Sequence, residues 1–148
     1  MPPDSENRLR ALEAELSVLK ARLRVLVVGS PLGIFFDDAA DQCVFVNTTF
    51  CRMMELPEAQ ALGDGWAGTV HPDDLPGLLR ERARSVARGA SLFRAEYRYV
   101  CPSGKTGWVE EQTRPVHDEH GSLIGYVGTL AEISGRKAEE DARARHSE

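Results

Sequence analysis

Leucines recur along the first part of the chain at alternating spacings of three and four residues. This spacing is typical of the a and d positions of a coiled coil, and it predicts one helix over residues 4–28. The leucines concerned are Leu9, Leu12, Leu16, Leu19, Leu23 and Leu26. Pro31 disfavours helical backbone in the residue before it, so the helix is expected to end by Gly29. Residues 1–29 are therefore predicted to form a coiled-coil-like N-terminal helix.

The charges beside the leucine stripe suggest a partner for this helix. In a parallel, in-register pair, each g residue faces the e residue five positions later on the partner. Arg8 would then face Glu13. Glu15 would face Lys20, and both pairs are attractive. We expect a parallel homodimer with the leucines at its interface. The alternative is a helix that folds back onto its own domain, since about three heptads is the shortest repeat that supports a coiled coil.

Beyond Ser30 the spacing of the apolar residues changes from three or four residues to the two-residue alternation of strands. Aromatic and small apolar residues alternate with Arg and Glu over residues 93–99, which predicts a strand with one buried face. Similar runs predict further strands, and segments with capping residues predict helices between them. The predicted strands are residues 33–37, 43–47, 93–99, 108–117 and 122–133. The predicted helices are residues 49–55, 73–88 and 134–148.

The order of several motifs resembles that of a bacterial PAS domain over residues 30–137. The motifs are Gly33-Ile34-Phe35, Asn47 at a strand end, Trp66, His71-Pro72-Asp73-Asp74, Tyr97-Arg98, Trp108-Val109-Glu110, Arg114-Pro115-Val116, Gly128 and Glu132-Ile133-Ser134. The family often has Asp-Ile-Thr where this chain has Glu132-Ile133-Ser134. The resemblance implies an α+β fold with a five-stranded antiparallel sheet and short helices on one face. It places the PAS domain at residues 30–134 and a C-terminal linker helix at residues 135–148.

The resemblance also implies a role in signalling. PAS domains of this kind are sensory or dimerisation modules that feed a histidine kinase, a cyclic-dinucleotide enzyme or a transcription regulator through the helix after the last strand. We expect this chain to homodimerise and to relay a signal in that way. Glu132, with Arg136 or Lys137, is predicted to form a polar latch at the strand-to-helix junction. The alternatives are a sensor defined by a bound haem, flavin or small molecule, and a purely structural adaptor.

The motifs that bind cofactors in related proteins are missing. Flavin photoreceptors of this superfamily carry a reactive cysteine in an Asn-Cys-Arg-Phe-Leu-Gln run, and Cys51-Arg52 is only a distant approach to it. Haem-binding relatives use a histidine on the long helix, and residues 73–88 contain none. We therefore expect no tightly bound cofactor. Any ligand is expected in a cavity between sheet and helices, whose predicted lining is Phe36, Phe45, Phe50, Met54, Leu75, Leu79, Tyr97 and Tyr99.

Neither catalysis nor metal binding is predicted. Asp73 and Asp74 form a carboxylate pair, but their place at a helix start explains them through the helix dipole. His117 and His120 lie in a predicted turn, where their spacing alone does not direct both rings at one ion. His71 is expected to organise the start of the long helix through hydrogen bonds. The chain is expected not to be an enzyme.

The composition limits which binding partners and which cellular compartment we expect for this chain. The net charge is -5, which disfavours nucleic acid as a partner because phosphate binding needs a concentrated basic surface. No apolar run approaches the roughly 20 residues of a membrane span, and the polar N-terminus does not resemble a signal peptide. The scattered cysteines indicate reduced thiols. We expect a cytoplasmic protein that binds neither membrane nor nucleic acid.

Overall fold

The leucine-rich segment forms one long helix. A computed structural model describes residues 3–146 in two compact units, one ending at Ser30 and the other beginning at Pro31. The first unit consists of α1 (Pro3–Val28), which confirms the predicted N-terminal helix. Its heptad leucines are all exposed, by 48% at Leu9 to 72% at Leu26. Among the described residues, no helix combines the length and the apolar character that a membrane span requires.

The second unit contains a five-stranded antiparallel sheet, as predicted. Its strands are β1 (Gly33–Asp38), β2 (Cys43–Val46), β3 (Phe93–Val100), β4 (Thr106–His117) and β5 (Leu123–Glu132). Its helices are α2 (Thr48–Met54), α3 (Glu58–Ala61), α4 (Leu75–Ala87) and α5 (Ser134–His146), with a 3-10 turn at Gly65–Thr69. The strand order is β2-β1-β5-β4-β3. The last strand therefore lies at the centre of the sheet, between β1 and β4.

The core lies between one face of the sheet and the helices α2 to α4. The ring of Phe35 on β1 lies over Gly128 of β5, where an added Cβ would come within 2.0 Å of the ring. Only glycine fits there. The main buried apolar residues of the sheet are Phe35, Phe93, Tyr97, Tyr99, Val109 and Leu130. The helices contribute Phe50, Met54 and Leu78 to the same cluster.

The side chain of Asn47 caps the start of α2. Asn47 accepts a hydrogen bond from the Phe50 N–H at 2.9 Å, as its position before a predicted helix indicated. The same Oδ1 atom accepts from the Ile34 N–H at 2.9 Å, so Asn47 also ties α2 to β1.

The start of α4 differs from its prediction. The helix begins at Leu75 instead of Asp73, and the Asp74 side chain makes no cap hydrogen bond. That carboxylate binds Arg98 of β3 instead, accepting from Nη2 at 2.7 Å, from Nε at 3.0 Å and from the backbone N–H at 2.8 Å. His71 lies just before the helix, where its Nδ1 accepts from the Asp73 N–H at 3.1 Å. Asp74 therefore fixes the helix to the sheet and does not serve as a side-chain cap.

Candidate functional site

A small cavity lies between the inner face of the sheet and the helices. Its volume is about 30 Å³, which is room for about two water molecules. Pockets that bind drug-sized ligands measure roughly 300 Å³ or more. Apolar side chains form most of the wall, including Phe35, Phe50, Met54, Trp66, Val70 and Leu130. Asp37, Arg82, Tyr97 and Glu111 form its polar end.

Three of the predicted lining residues, Phe50, Met54 and Tyr97, line this cavity. Phe36 and Phe45 do not, because they project from the opposite face of β1 and β2. Their rings stack on each other with centroids 5.0 Å apart, and the two residues are cross-strand partners. The inward position on β1 belongs to Phe35.

The other predicted lining residues also lie away from the cavity. Leu75 packs against the core while partly exposed, and Leu79 is 46% exposed because Leu78 takes the inward position on α4. Tyr99 is fully buried, but its hydroxyl points to the end of β5 and not into the cavity.

The polar end of the cavity is a buried charge cluster that no sequence motif indicated. Arg82 lies on the inward face of α4 with Leu78 and Ser85, and it is 6% exposed. Its Nη2 donates to Asp37 at 2.6 Å and to Asp41 at 2.6 Å. Its Nε donates to Asp41 at 3.1 Å. We refer to Arg82, Asp37, Asp41 and Glu111 as the Arg82 cluster.

Glu111 of β4 receives hydrogen bonds from three sides. Arg82 Nη1 donates at 3.0 Å, the Tyr97 hydroxyl at 2.8 Å and the Thr113 hydroxyl at 2.7 Å. The Arg82 guanidinium also lies 5.8 Å from the ring centroid of Tyr126. The cluster thus connects α4 with β1, with the β1–β2 turn and with β3 to β5.

Burial and charge shift the ionisation of these groups in different directions. Burial raises the pKa of Asp37 to about 7, and the Asp41 and Glu111 carboxylates add to the rise although Arg82 opposes it. Burial alone would lower the pKa of Arg82, but Glu111, Asp41 and Asp37 outweigh it and raise that pKa. Arg82 therefore stays charged, while burial favours the protonated form of Asp37 more than in an exposed aspartate.

A second network joins the end of β5 to α5. Glu132 accepts a hydrogen bond from the Tyr99 hydroxyl, and its Oε1 accepts from the Ser134 N–H at 2.6 Å. Ser134 Oγ accepts from the Trp108 N–H at 2.9 Å. Burial would raise the pKa of Glu132, but the hydrogen bonds from Ser134 and Tyr99 outweigh it and lower that pKa. The carboxylate is therefore ionised and holds the junction at neutral pH.

The predicted cations of the junction bind a different carboxylate. Arg136 donates to Glu96 of β3 at 2.9 Å, and Lys137 Nζ lies 2.8 Å from the same residue. Lys137 Nζ also lies 4.7 Å from the ring centroid of Trp108. The hydrogen bonds from Lys137 and Arg136 lower the pKa of Glu96. The junction therefore contains two separate groups of polar contacts in place of the predicted pairing of Glu132 with Arg136 or Lys137. One group is Glu132 with Tyr99 and Ser134, and the other is Glu96 with Arg136 and Lys137.

The cysteine thiols are poorly suited to act as nucleophiles. Burial raises the pKa of the Cys43 thiol to about 11, and burial also raises the pKa of Cys51 and of Cys101, which disfavours the nucleophilic thiolate. His120 is exposed in the turn after β4. Within residues 3–146 no group of three or more His, Cys, Asp or Glu side chains is placed to hold a metal ion.

Known proteins share the sequence pattern of this chain. A methyl sulfide methyltransferase-associated sensor from Methanosarcina acetivorans is 35% identical over 98 residues, which are 66% of this chain and 10% of that protein. The uncharacterized protein y4lL from Sinorhizobium fredii is 37% identical over 78 residues, which are 53% of this chain and 9% of that protein. This chain spans about a tenth of the length of both curated relatives.

A solved structure and a family model agree with this. The PAS domain of a protein from Colwellia psychrerythraea superposes with a TM-score of 0.68 at 20% identity, covering 80% of this chain and 98% of that domain. The model of the PAS fold matches residues 43–130, which is more than half of the chain. The chain therefore belongs to the PAS family.

Proposed function

We propose that this chain is a homodimeric PAS signalling module that relays a change in its core to an effector through α5. The observation that carries the proposal is the hydrogen bond from Tyr99, a core residue, to Glu132 at the start of the junction. A shift of the core thereby acts on the residue that holds the first turn of α5. The proposed role is that of a sensor and not an enzyme, in line with the similarity to a protein named as a sensor.

The exposed leucines of α1 support the dimer. Burying one leucine side chain contributes about 1.5–3 kcal/mol, and the heptad stripe leaves Leu16 51% exposed and Leu19 58% exposed. A second copy in parallel would bury the stripe and bring Glu15 next to the partner's Lys20. Self-association therefore satisfies both the apolar face and the flanking charges.

The relay needs two positions of α5 whose balance the core can bias. A small number of polar contacts attach the first turn of α5 to the sheet. No residue of α5 is buried. Such a helix exchanges position at low free-energy cost. We propose that the exposed part of α5 after its first turn engages the effector.

The effector proposed is a histidine kinase, a cyclic-dinucleotide enzyme or a transcription regulator in the cytoplasm of a bacterium. The similarity to a much longer protein named as a sensor supports this class of role. Because the cavity holds only about two waters, the proposed module works without a tightly bound cofactor.

Sedimentation velocity tests the dimer with a matched pair of variants. Leu16→Asp places a charge at an a position, whereas Val18→Asp places it two residues away at a c position on the opposite helix face. The two side chains are similarly exposed, at 51% and 48%. We expect wild type and Val18→Asp to sediment as dimers at high micromolar concentration and Leu16→Asp as a monomer. A wild-type monomer, or a dimer that Leu16→Asp leaves unchanged, would contradict the proposal.

A further inference from the structure

The Arg82 cluster has a deficit of positive charge. With all three carboxylates ionised, it contains two more negative than positive charges in a largely buried site. Asp37 and Glu111 have side chains only 7% and 4% exposed. Ionised carboxylates without matching cations are costly to bury, so such a site favours taking up a proton.

Two of the carboxylates are placed to share that proton. Asp37 and Asp41 each accept a hydrogen bond from Arg82 Nη2 at 2.6 Å, so their carboxyl groups converge on the same nitrogen. Arg82 holds Asp41 through two of its nitrogens but holds Asp37 through only one. A proton on Asp37 can therefore be donated to Asp41 while Asp37 keeps its acceptor contact with Arg82.

The groups around Asp37 determine how a proton reaches it and what its charge acts on. The titratable groups that face Asp37 are Arg82 of α4, Asp41 of the β1–β2 turn, Cys43 of β2, Tyr97 of β3, Glu111 of β4 and Tyr126 of β5. The Asp41 side chain is 39% exposed, so solvent reaches one edge of the pair. The cavity beside Asp37 leaves room for the groups to move as the charge changes.

We propose that the Arg82 cluster is a proton-operated switch, in which one proton shared by Asp37 and Asp41 sets how tightly α4 is held to the sheet. Loss of the proton adds a negative charge next to Asp41 and Glu111, and the repulsion displaces the carboxylates around Arg82. The burial of Asp37 raises its pKa to about 7, which places this exchange near neutral pH. Asp37 is paired with Tyr126 of β5, the strand that leads to α5.

The proposal supplies a stimulus for the signalling module of the preceding section, and only its output depends on that proposed function. The experiment uses the full chain labelled with ¹³C at aspartate carboxyl carbons, titrated by NMR between about pH 5 and about pH 9. We expect one carboxyl resonance to titrate with a midpoint of about 7. It should vanish in Asp37→Asn and persist in Asp73→Asn, the same change at an exposed carboxylate. In Asp41→Asn it should move to lower pH, because a neighbouring negative charge is removed.

Tryptophan emission reports whether proton uptake moves the structure. Trp66 lines the cavity, so its emission is followed alone in a Trp108→Phe background. We expect an emission change with the same midpoint as the carboxyl, and none in Asp37→Asn. An Asp37 midpoint below about 5, or titration without any change in Trp66 emission, would overturn the switch. If Asp37→Asn fails to fold, the shift of the midpoint in Asp41→Asn decides.

The output is read separately from Trp108, which contacts Lys137, in a Trp66→Phe background. A Trp66 response without a Trp108 response leaves the switch standing and contradicts the proposed relay through α5. Failure of the carboxyl titration refutes the switch and leaves the dimer and the relay untouched.

Discussion

Tyr99 of β3 reaches Glu132 of β5 across the strand between them. Its hydroxyl donates to the Glu132 carboxylate directly above Gly107 of β4, where an added Cβ would lie 2.4 Å from the Tyr99 oxygen. The same Cβ would lie 2.6 Å from Ser134 Oγ. Gly107 therefore provides the space in which the core, the last strand and α5 meet.

Gly107→Ala is expected to disrupt the hydrogen bond between Tyr99 and Glu132. The added methyl group displaces the Tyr99 ring and hydroxyl, and overpacking of this kind costs about 1–3 kcal/mol of unfolding free energy. Urea unfolding measures the loss. Gly68→Ala is the control, since an added Cβ there meets nothing within 4 Å, and it should change stability by less than about 0.5 kcal/mol. Equal effects of the two variants would refute the steric role of Gly107.

Stability should fall as the pH rises toward neutral. Asp37 has a pKa of about 7 in the folded chain and an ordinary value of 3.8 when exposed, so the folded state binds more protons between these values. The unfolding free energy should then decrease by up to about 1.4 kcal/mol per pH unit and level off above pH 7. Urea unfolding at a series of pH values from about 5 to about 8.5 checks this. Asp37→Asn should remove the slope in that window, and a slope that survives would contradict the assignment.

Asp74 and Glu96, whose pKa values are lowered in the folded chain, affect stability in a more acidic pH range than Asp37. Hydrogen bonds from Arg98 lower the pKa of Asp74, and those from Lys137 and Arg136 lower that of Glu96. Their contributions are complete above the ordinary carboxyl pKa of about 4 and are lost as the pH falls below it. They therefore do not disturb the measurement of Asp37 above about pH 5.

Removing Arg82 should be far more damaging than removing another arginine of the same helix. Arg82→Leu leaves Asp37 and Glu111 buried without their cation, which costs about 3–5 kcal/mol. Arg84→Leu removes only an exposed pair with Glu81, worth less than about 1 kcal/mol. The loss in Arg82→Leu should shrink at about pH 5, where Asp37 is protonated. Urea unfolding of both variants at two pH values measures this, and a loss that is independent of pH would contradict the charge argument.

Glu96→Gln should release the first turn of α5 without unfolding the sheet. The change removes the carboxylate that both Arg136 and Lys137 contact. Exposed ion pairs contribute about 0.2–1 kcal/mol, so amide exchange in residues 138–142 should accelerate up to about fivefold. Hydrogen exchange measures this, with Glu81→Gln as the control because it removes one exposed pair on α4. Unchanged exchange in α5, or faster exchange throughout β4, would show that Glu96 does not act locally.

The purified protein should be colourless. A cavity of about 30 Å³ is too small for haem or flavin. The absorption spectrum should therefore contain only the bands of the aromatic residues, and native mass spectrometry should give the mass of the chain or of its dimer. Visible absorption, or added mass that is released on denaturation, would show that the cavity opens to admit a ligand.

The sequence predicted the order of the elements better than the faces they bury. Turn residues and caps such as Asn47 act locally and indicated the individual elements, while the five-stranded sheet was implied by the resemblance of the motif order to PAS domains. Phe36 was predicted to face the cavity, but Phe35 does, because strand residues alternate and a slip of one position exchanges the faces. The short, uniformly apolar run of β1 contains no polar residue that would fix the register until Asp37. Leu79 was misplaced for a similar reason, since Leu78 beside it is equally apolar.

The Arg82 cluster was beyond local prediction. Arg82 is separated from Glu111 by 29 residues and from Asp37 by 45, so only the tertiary fold brings them together. A signal was nevertheless present, because Arg82 shares a helix face with Leu78, and Glu111 shares a strand face with Val109. A charged residue at an inward position is either an error of register or half of a buried pair. The two cases cannot be distinguished until the partner is located.

Glu96 imposes a mechanical restriction on α5. Arg136 and Lys137 are consecutive residues, so their side chains leave the helix about 100° apart and reach the one carboxylate from two sides. Rolling the helix about its axis in either direction stretches one of the two contacts, whereas lifting it away breaks both together. The two contacts to Glu96 therefore restrain the rotation of α5 more than either contact would alone, and the helix is released when both are broken.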